Sequence, residues 1–113
     1  MNRRGADAEA MAAAFIERKG LKVVARNYRC RLGEIDLVAR DGPTTVFIEV
    51  RQRASSAFGG ARASITAAKR QRLLKAARYY LSRLATLPRC RFDALLIEGD
   101  PPRIEWLRDA FGE

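Results

Sequence analysis

Apolar residues near the start of the chain recur with the spacing of a helix. The positions are Ala8, Met11, Ala12, Phe15 and Ile16. Their spacing of i, i+3, i+4, i+7 and i+8 places them on one face of an α-helix. Asp7 suits the N-terminal end of such a helix and Gly20 suits its C-terminal end. The pattern therefore predicts a helix over residues 6–19.

Five later segments have the composition of β-strands. They are residues 22–31, 34–40, 45–52, 90–98 and 103–107, and the last of them carries the only tryptophan. Residues 41–44, with the sequence Asp-Gly-Pro-Thr, separate the second strand from the third and consist of strong turn formers. These two strands are therefore predicted to form a hairpin.

A loop and a long helix are predicted between the third and fourth strands. Residues 54–63 are small and include adjacent glycines, which favours a loop. Residues 64–86 form an amphipathic helix that ends before Pro88, with an apolar arc of Leu73, Leu74, Ala77, Tyr80, Leu81 and Leu84. The order αβββαβ(β) predicts an α/β fold, because a helical crossover lets the next strand lie parallel to an earlier one. We expect residues 1–113 to form a single domain with a central mixed sheet flanked by helices.

The predicted hairpin has a register that can be counted outward from its turn. The facing pairs are Arg40 with Thr45, Val38 with Phe47, Asp36 with Glu49, and Glu34 with Arg51. Because side chains alternate along a strand, one face then carries only apolar residues: Ile35, Leu37, Ala39, Val46, Ile48 and Val50. That face is predicted to pack against a helix.

The opposite face of the hairpin carries two facing acids, Asp36 and Glu49. Facing residues of an antiparallel pair have Cβ atoms roughly 5 Å apart. Two carboxylates so close either share a proton or bind a cation, and hard divalent ions such as Mg²⁺ or Mn²⁺ prefer oxygen ligands. Val38 and Phe47 share this face, which favours a pocket over an open surface. The alternative is that both acids are simply solvated on an exposed sheet.

Charge and composition restrict the chemistry. The chain has 22 basic and 13 acidic residues, a formal net charge of +9, which attracts polyanions such as nucleic acid. Histidine is absent, so histidine triads, bases and metal sites are excluded. Cys30 and Cys90 are isolated, which favours reduced core residues over a bridge or a zinc site. No segment is apolar and long enough for a signal peptide or a membrane span, so we expect a cytoplasmic protein with no membrane partner.

The hairpin motif resembles that of a known nuclease superfamily. Asp36 followed across a turn by Glu49-Val50-Arg51 is similar to the PD-(D/E)XK motif. More closely, the chain resembles the YraN-like family of small bacterial proteins, related to Holliday-junction resolvases and restriction endonucleases. The segments that carry this resemblance are Ala8-Glu9, Arg26-Asn27-Tyr28-Arg29, the block from Gly33 to Gly42, the block from Val46 to Arg51, Phe58-Gly59, Lys69, and Arg91-Phe92-Asp93.

The resemblance implies a restriction-endonuclease-like fold and a metal-dependent endonuclease. Asp36 and Glu49 would hold Mg²⁺ or Mn²⁺ with help from the Val50 carbonyl, and Glu9 would point toward the same site. Arg51 replaces the usual lysine of the motif. Arginine cannot act as a base but can bind a phosphate, while Lys69 is a candidate for a migrated lysine. The resemblance also allows a homodimer.

Other basic residues are candidates for contact with the backbone of DNA on either side of the site. They are Arg29, Arg31, Arg53, Lys69, Arg70 and Arg72. Phosphate contacts of this kind fix position rather than sequence.

Three functions remain open on the sequence alone. The first is an endonuclease, for branched or damaged DNA among other substrates. The second is a nucleic-acid-binding module of the same fold without turnover, for which Arg51 is the hint. The third is an interaction protein whose basic surface meets an acidic partner or the ribosome.

Overall fold

A computed structural model describes residues 3–54, 60–63 and 65–110 of the chain. Within these residues the helices are α1 (Arg3–Arg18), α2 (Gly60–Ala63) and α3 (Ala67–Ser82). The strands are β1 (Lys22–Cys30), β2 (Gly33–Asp41), β3 (Thr44–Arg53), β4 (Arg89–Glu98) and β5 (Arg103–Leu107). They form one sheet in the order β1-β2-β3-β4-β5, in which only β3 and β4 are parallel. The α/β fold with the layout αβββαβ(β) is confirmed.

Helices cover both faces of the sheet. On one face, α1 packs Ala12 and Ile16 against strand residues such as Leu37 and Ile48, all of them fully buried. On the other face, α3 packs Leu73 and other residues against a cluster of Val38, Phe47, Ile35 and Phe92. The alternation of Val46, Phe47 and Ile48 between the two clusters follows from the period of two along a strand.

The hairpin has the predicted register near its turn, but the β2–β3 pairing ends at Leu37 and Ile48, so the predicted facing pairs Asp36–Glu49 and Glu34–Arg51 are not part of the ladder. Asp41 pairs with Thr44, and Gly42 between them has the positive φ of 59° that glycine adopts without strain. Arg40 then faces Thr45, and Val38 faces Phe47, as counted from the sequence.

The predicted apolar face of the hairpin was wrong at one residue, Ile35. Leu37 packs toward α1, but Ile35 packs toward α3. Strand alternation is broken between them, next to Asn27 of β1, which has a positive φ of 51°. A left-handed residue bends a strand and changes which way its neighbours point.

The predicted long helix was also wrong in its limits. Residues 60–63, assigned to a loop, contain the short helix α2, and α3 begins only at Ala67 and ends at Ser82. Leu84 therefore lies beyond the helix and is 40% exposed rather than packed. The rest of the predicted loop, residues 55–59, and with it Phe58-Gly59 of the family motif, lies outside the described residues.

A buried carboxylate ties the last strand to the sheet. Asp93 of β4 is fully buried and accepts hydrogen bonds from Arg91 Nε, Trp106 Nε1 and the Asp109 backbone N–H at 2.9–3.2 Å. Arg91 also donates to Asp41 at 2.9 Å. Every polar atom of this acid thus has a partner, which buried charge requires.

Neither cysteine forms a disulfide bond; Cys30 is partly buried and Cys90 is exposed. The prediction that Cys90 lies in the core was wrong, because Cys90 lies at the start of β4, where the first residues of the strand are exposed. Among the described residues, no helix is both long enough and apolar enough to cross a bilayer.

Candidate acidic site

The site forms where strands β2 and β3 separate. Their backbone pairing extends from the turn as far as Leu37 and Ile48. Beyond this pair, the backbone N–H of Val50 donates to Oδ2 of Asp36 at 2.8 Å. The Asp36 side chain is therefore fixed against β3 at the point where the strands diverge.

Asp36 and Glu49 bring two carboxyl groups together at this point. Glu49 is 6% exposed. Burial, followed by the negative charge of Asp36, raises the pKa of Glu49 to about 8. Burial also raises the pKa of Asp36, although the Val50 N–H and Arg51 act in the opposite direction.

The two carboxyl groups interact directly. The negative charge of Asp36 raises the pKa of Glu49, while the positive charge of Arg51 lowers it. Without a cation, the pair therefore keeps one proton near neutral pH. Because burial prevents both acids from ionising freely, a divalent cation that replaces the proton would relieve their repulsion.

Arg51 lies beside the acid pair. Its Nη2 forms an ion pair with Oε1 of Glu49, and its side chain is only 22% exposed. Its Nε is buried and has no hydrogen-bond partner among the described residues. The guanidinium lines the same cleft as the two acids, where its positive charge suits an anionic oxygen such as that of a phosphate.

Helix α3 places two more cations at the acids. Its N-cap is Thr66, whose hydroxyl accepts from the backbone N–H of Lys69 at 3.2 Å. Lys69 in the first turn and Arg72 in the second line a cleft of about 80 Å³, here called the acidic cleft. Its lining residues are Glu34, Asp36, Glu49, Arg51, Lys69 and Arg72.

A second cleft adjoins the first and is dominated by arginines. It has a volume of about 250 Å³ and is here called the arginine cleft. Its lining residues are Arg29, Cys30, Arg31, Leu32, Gly33, Glu34 and Arg72. Since Glu34 and Arg72 line both clefts, the two are adjacent. Four of the six predicted DNA contacts, namely Arg29, Arg31, Lys69 and Arg72, thus lie around the acids.

The other two predicted contacts are elsewhere. Arg53 lines a cleft with Gly99, Asp100 and Pro102 at the far end of β3, and its Nη1 donates to the Gln52 carbonyl at 2.9 Å. Arg70 is exposed on α3 and lines neither of the two clefts described above. The structure does not bring either residue to the acids.

Glu9 lies near the site without lining it. It is half-buried on α1, and its pKa is raised first by burial and then by the charge of Asp36. Arg26 and Arg29 lower that pKa. Glu9 is thus within electrostatic reach of Asp36, while the acidic cleft is lined by other residues.

The donor set fits a metal held by few protein ligands. No group of three or more acidic, cysteine or histidine side chains that could hold an ion occurs in the described part of the chain. Asp36 and Glu49 nevertheless offer two adjacent carboxyl groups, and Mg²⁺ is often held by one or two carboxylates with water and substrate phosphate as its other ligands. The contact that Val50 makes is through its N–H, so the role of its carbonyl stays a prediction.

Sequence reasoning missed three residues of this region. Glu34 was placed opposite Arg51 but given no role, although it lines both clefts and lies 3.6 Å from Arg29. Asn27 accepts a hydrogen bond from Arg29 Nε at 3.1 Å. Gly33 lies so close to α3 that a Cβ there would be 2.2 Å from the carbonyl oxygen of Arg72. An asparagine inside a strand and a glycine at its start were the available signals.

Comparison with known proteins places the chain in a family. A family model described as "Uncharacterised protein family UPF0102" matches residues 8–97. A UPF0102 protein of Methylobacillus flagellatus is 54% identical over 112 residues, covering 98% of each chain. A UPF0102 protein of Cupriavidus pinatubonensis is 59% identical over 110 residues, covering 96% of this chain and 84% of that protein. The family resemblance is therefore confirmed: the chain belongs to the uncharacterised protein family UPF0102, the YraN-like family.

Proposed function

We propose that this protein is a metal-dependent endonuclease that hydrolyses phosphodiester bonds in DNA. The observation that carries the proposal is the position of Asp36 and Glu49, two carboxyl groups that line one cleft with Arg51. Paired acids with raised pKa values beside a cation are typical of functional sites. In this proposal, residues 1–113 form one nuclease-like domain of the PD-(D/E)XK type.

Each residue of the acidic cleft has a proposed task. Asp36 and Glu49 hold Mg²⁺ or Mn²⁺ through carboxylate oxygens, and Asp36 is kept in position by the Val50 N–H. Held by these two acids, the metal would lower the pKa of a bound water and would neutralise charge on the phosphate. Arg51 lines the cleft and stabilises, through its guanidinium charge, the negative charge that develops on a phosphate oxygen.

The base that accepts a proton from the attacking water cannot be a histidine, because the chain contains none, and it cannot be an arginine, which stays charged. Lys69 lines the cleft at the first turn of α3 and is the candidate for a residue that orients the attacking water. Arg72 and the arginine cleft hold the flanking backbone through its phosphates, which gives affinity without sequence preference.

A second candidate function is a nucleic-acid-binding module without turnover. The ion pair between Arg51 and Glu49 favours it, because a guanidinium in contact with a metal-binding acid competes with the metal for that acid. In this case the clefts bind DNA, and the acids serve only to keep Arg51 in place.

Cleavage of a labelled DNA panel distinguishes these functions. The panel contains a plain duplex, a nicked duplex and a four-way junction, incubated with the protein in Mn²⁺ or EDTA. The proposal predicts products only with Mn²⁺, and none for Glu49→Gln, while Arg53→Gln, outside the acidic cleft, cleaves like the wild type. Salt-sensitive binding without cleavage would instead support the binding module. Binding no stronger than that of a charge-matched control protein would exclude both and support an acidic partner.

A further inference from the structure

The hairpin between β1 and β2 presents an exposed leucine at its tip. Cys30 pairs with Gly33, so the connection is a turn of two residues, Arg31 and Leu32. Leu32 is 47% exposed. A leucine in such a turn contributes little to the core, and its side chain projects from the end of the strands.

Arginines surround this leucine. Arg29, Arg31 and Arg72 line the same cleft as Leu32, and this cleft lies next to the acidic cleft, with which it shares Glu34 and Arg72. A polyanion drawn to these arginines therefore meets an apolar side chain at the same place. Charge complementarity selects nucleic acid as the occupant, because its backbone offers phosphates and its stacked bases offer apolar surface.

The hairpin tip is held firmly against α3. Gly33 packs directly on the backbone at Arg72, where there is no room for a Cβ. Asn27 and Glu34 hold the guanidinium of Arg29, at 3.1 Å and 3.6 Å respectively. The position of Leu32 relative to Arg72 is thus fixed before any ligand binds.

We propose that Leu32 is a wedge residue that inserts between neighbouring bases of the DNA whose phosphates lie in the arginine cleft. Apolar side chains such as leucine and methionine open base steps in this way, and the cost of unstacking is lowest where the helix is already disrupted. Leu32 therefore selects DNA with a mismatch, nick or branch over continuous duplex. This inference rests on the proposed function for the identity of the ligand, but not on turnover.

The test measures binding in EDTA, so that no cleavage occurs. Two duplexes of equal length carry the fluorescent base 2-aminopurine, one fully paired and one beside a central mismatch. The wild type binds the mismatched duplex more tightly, by about tenfold, the size expected from burying a leucine side chain. Its binding also raises 2-aminopurine fluorescence, since this base brightens when it is unstacked.

Two variants and a control make the test specific. Leu32→Ala binds both duplexes equally and leaves the fluorescence unchanged, while Leu32→Met keeps the preference because a long apolar side chain remains. Leu87→Ala, at a leucine that is 78% exposed and lines neither cleft, behaves as the wild type. Circular dichroism and the melting temperature confirm that the variants are folded.

Two results would overturn the wedge. If the wild type and Leu32→Ala bind DNA strongly but with the same mismatch preference, Leu32 does not contact bases, and the proposed function survives. If the wild type binds neither duplex better than a charge-matched control does, the wedge and the proposed function fail together.

Discussion

The proton that the pair of Asp36 and Glu49 retains links the stability of the metal-free protein to pH. The pKa of Glu49 is raised from 4.5 to about 8, so the folded protein binds a proton that the unfolded chain has lost. A raised carboxyl pKa gives stability that is complete below about 4.5 and is lost as the pH rises through about 8. We expect the free energy of unfolding to fall by about 2 to 5 kcal/mol across this range.

Urea unfolding in EDTA at a series of pH values measures this fall. Glu49→Gln cannot ionise, so its stability exceeds that of the wild type at pH values above 8, and the difference shrinks toward acidic pH. Glu17→Gln, at an exposed acid of α1, is the matched control and follows the wild type. The prediction fails if the free energy of unfolding of the wild type, compared with that of Glu49→Gln at each pH, rises from slightly acidic to alkaline pH. That result would show that Glu49 is not buried as described.

Arg51 tunes the same acid pair. Its positive charge lowers the pKa values of both Asp36 and Glu49. In Arg51→Ala the pair therefore holds its proton more tightly, and the pH midpoint for Mn²⁺ binding moves upward, by about one pH unit for an interaction of roughly 1.4 kcal/mol. Arg51→Lys keeps the charge and much of the wild-type midpoint. A midpoint that moves downward in Arg51→Ala would mean that Arg51 mainly blocks the metal.

At the scale of elements, the hairpin tip and α3 depend on one close contact. Gly33→Ala places a Cβ 2.2 Å from the Arg72 carbonyl, so the helix or the strand must shift. We expect a loss of about 1–3 kcal/mol in stability, as for other overpacked sites, and weaker DNA binding because Arg72 moves.

The control for this prediction is Gly42→Ala. Gly42 has a φ of 59° with open space around it, so alanine costs only about 1 kcal/mol there and leaves DNA binding intact. Equal DNA affinity in Gly33→Ala and Gly42→Ala would show that the packing of α3 on the hairpin does not position the arginine cleft.

The strands and their register could be read from the sequence because alternation and turn chemistry are local. Counting from residues 41–44 paired Val38 with Phe47 correctly. The face of Ile35 could not be predicted, since it depends on the left-handed Asn27 of another strand. The short helix α2 was also missed: Glu98, distant in sequence, accepts from the Ala61 N–H at 2.6 Å and helps to fix its start.

The same distinction applies to the candidate site. Hairpin geometry predicted that Asp36 and Glu49 lie close together. The strands separate just before this pair, however, and the Val50 N–H holds Asp36 against β3 instead. The arrangement of Arg29, Arg31, Lys69 and Arg72 around them depends on how α3 docks, which no local pattern encodes. For the same reason, the positive charge of Arg53 and Arg70 could not reveal that these two residues, unlike the other four predicted contacts, do not line the clefts.

At the scale of the whole molecule, Asp93 connects the end of the chain to the sheet that carries the site. Its carboxylate accepts from Arg91, Trp106 and Asp109. In Asp93→Ala, the partly buried Arg91 loses its Asp93 partner. We expect this loss to lower the free energy of unfolding by about 3–5 kcal/mol. Urea unfolding measures the loss, with the exposed Asp100→Ala as control; equal stability of the two variants would contradict this role.

The central claim is that Asp36 and Glu49 together hold a divalent cation. The most direct test is a Mn²⁺ titration near pH 7.5, followed by electron paramagnetic resonance of the free ion, with the wild type, Asp36→Asn, Glu49→Gln and Arg53→Gln. We expect one site in the wild type and in Arg53→Gln, with release of protons on binding, and no such site in the two acid variants. A wild type that binds Mn²⁺ no better than Asp36→Asn would contradict it.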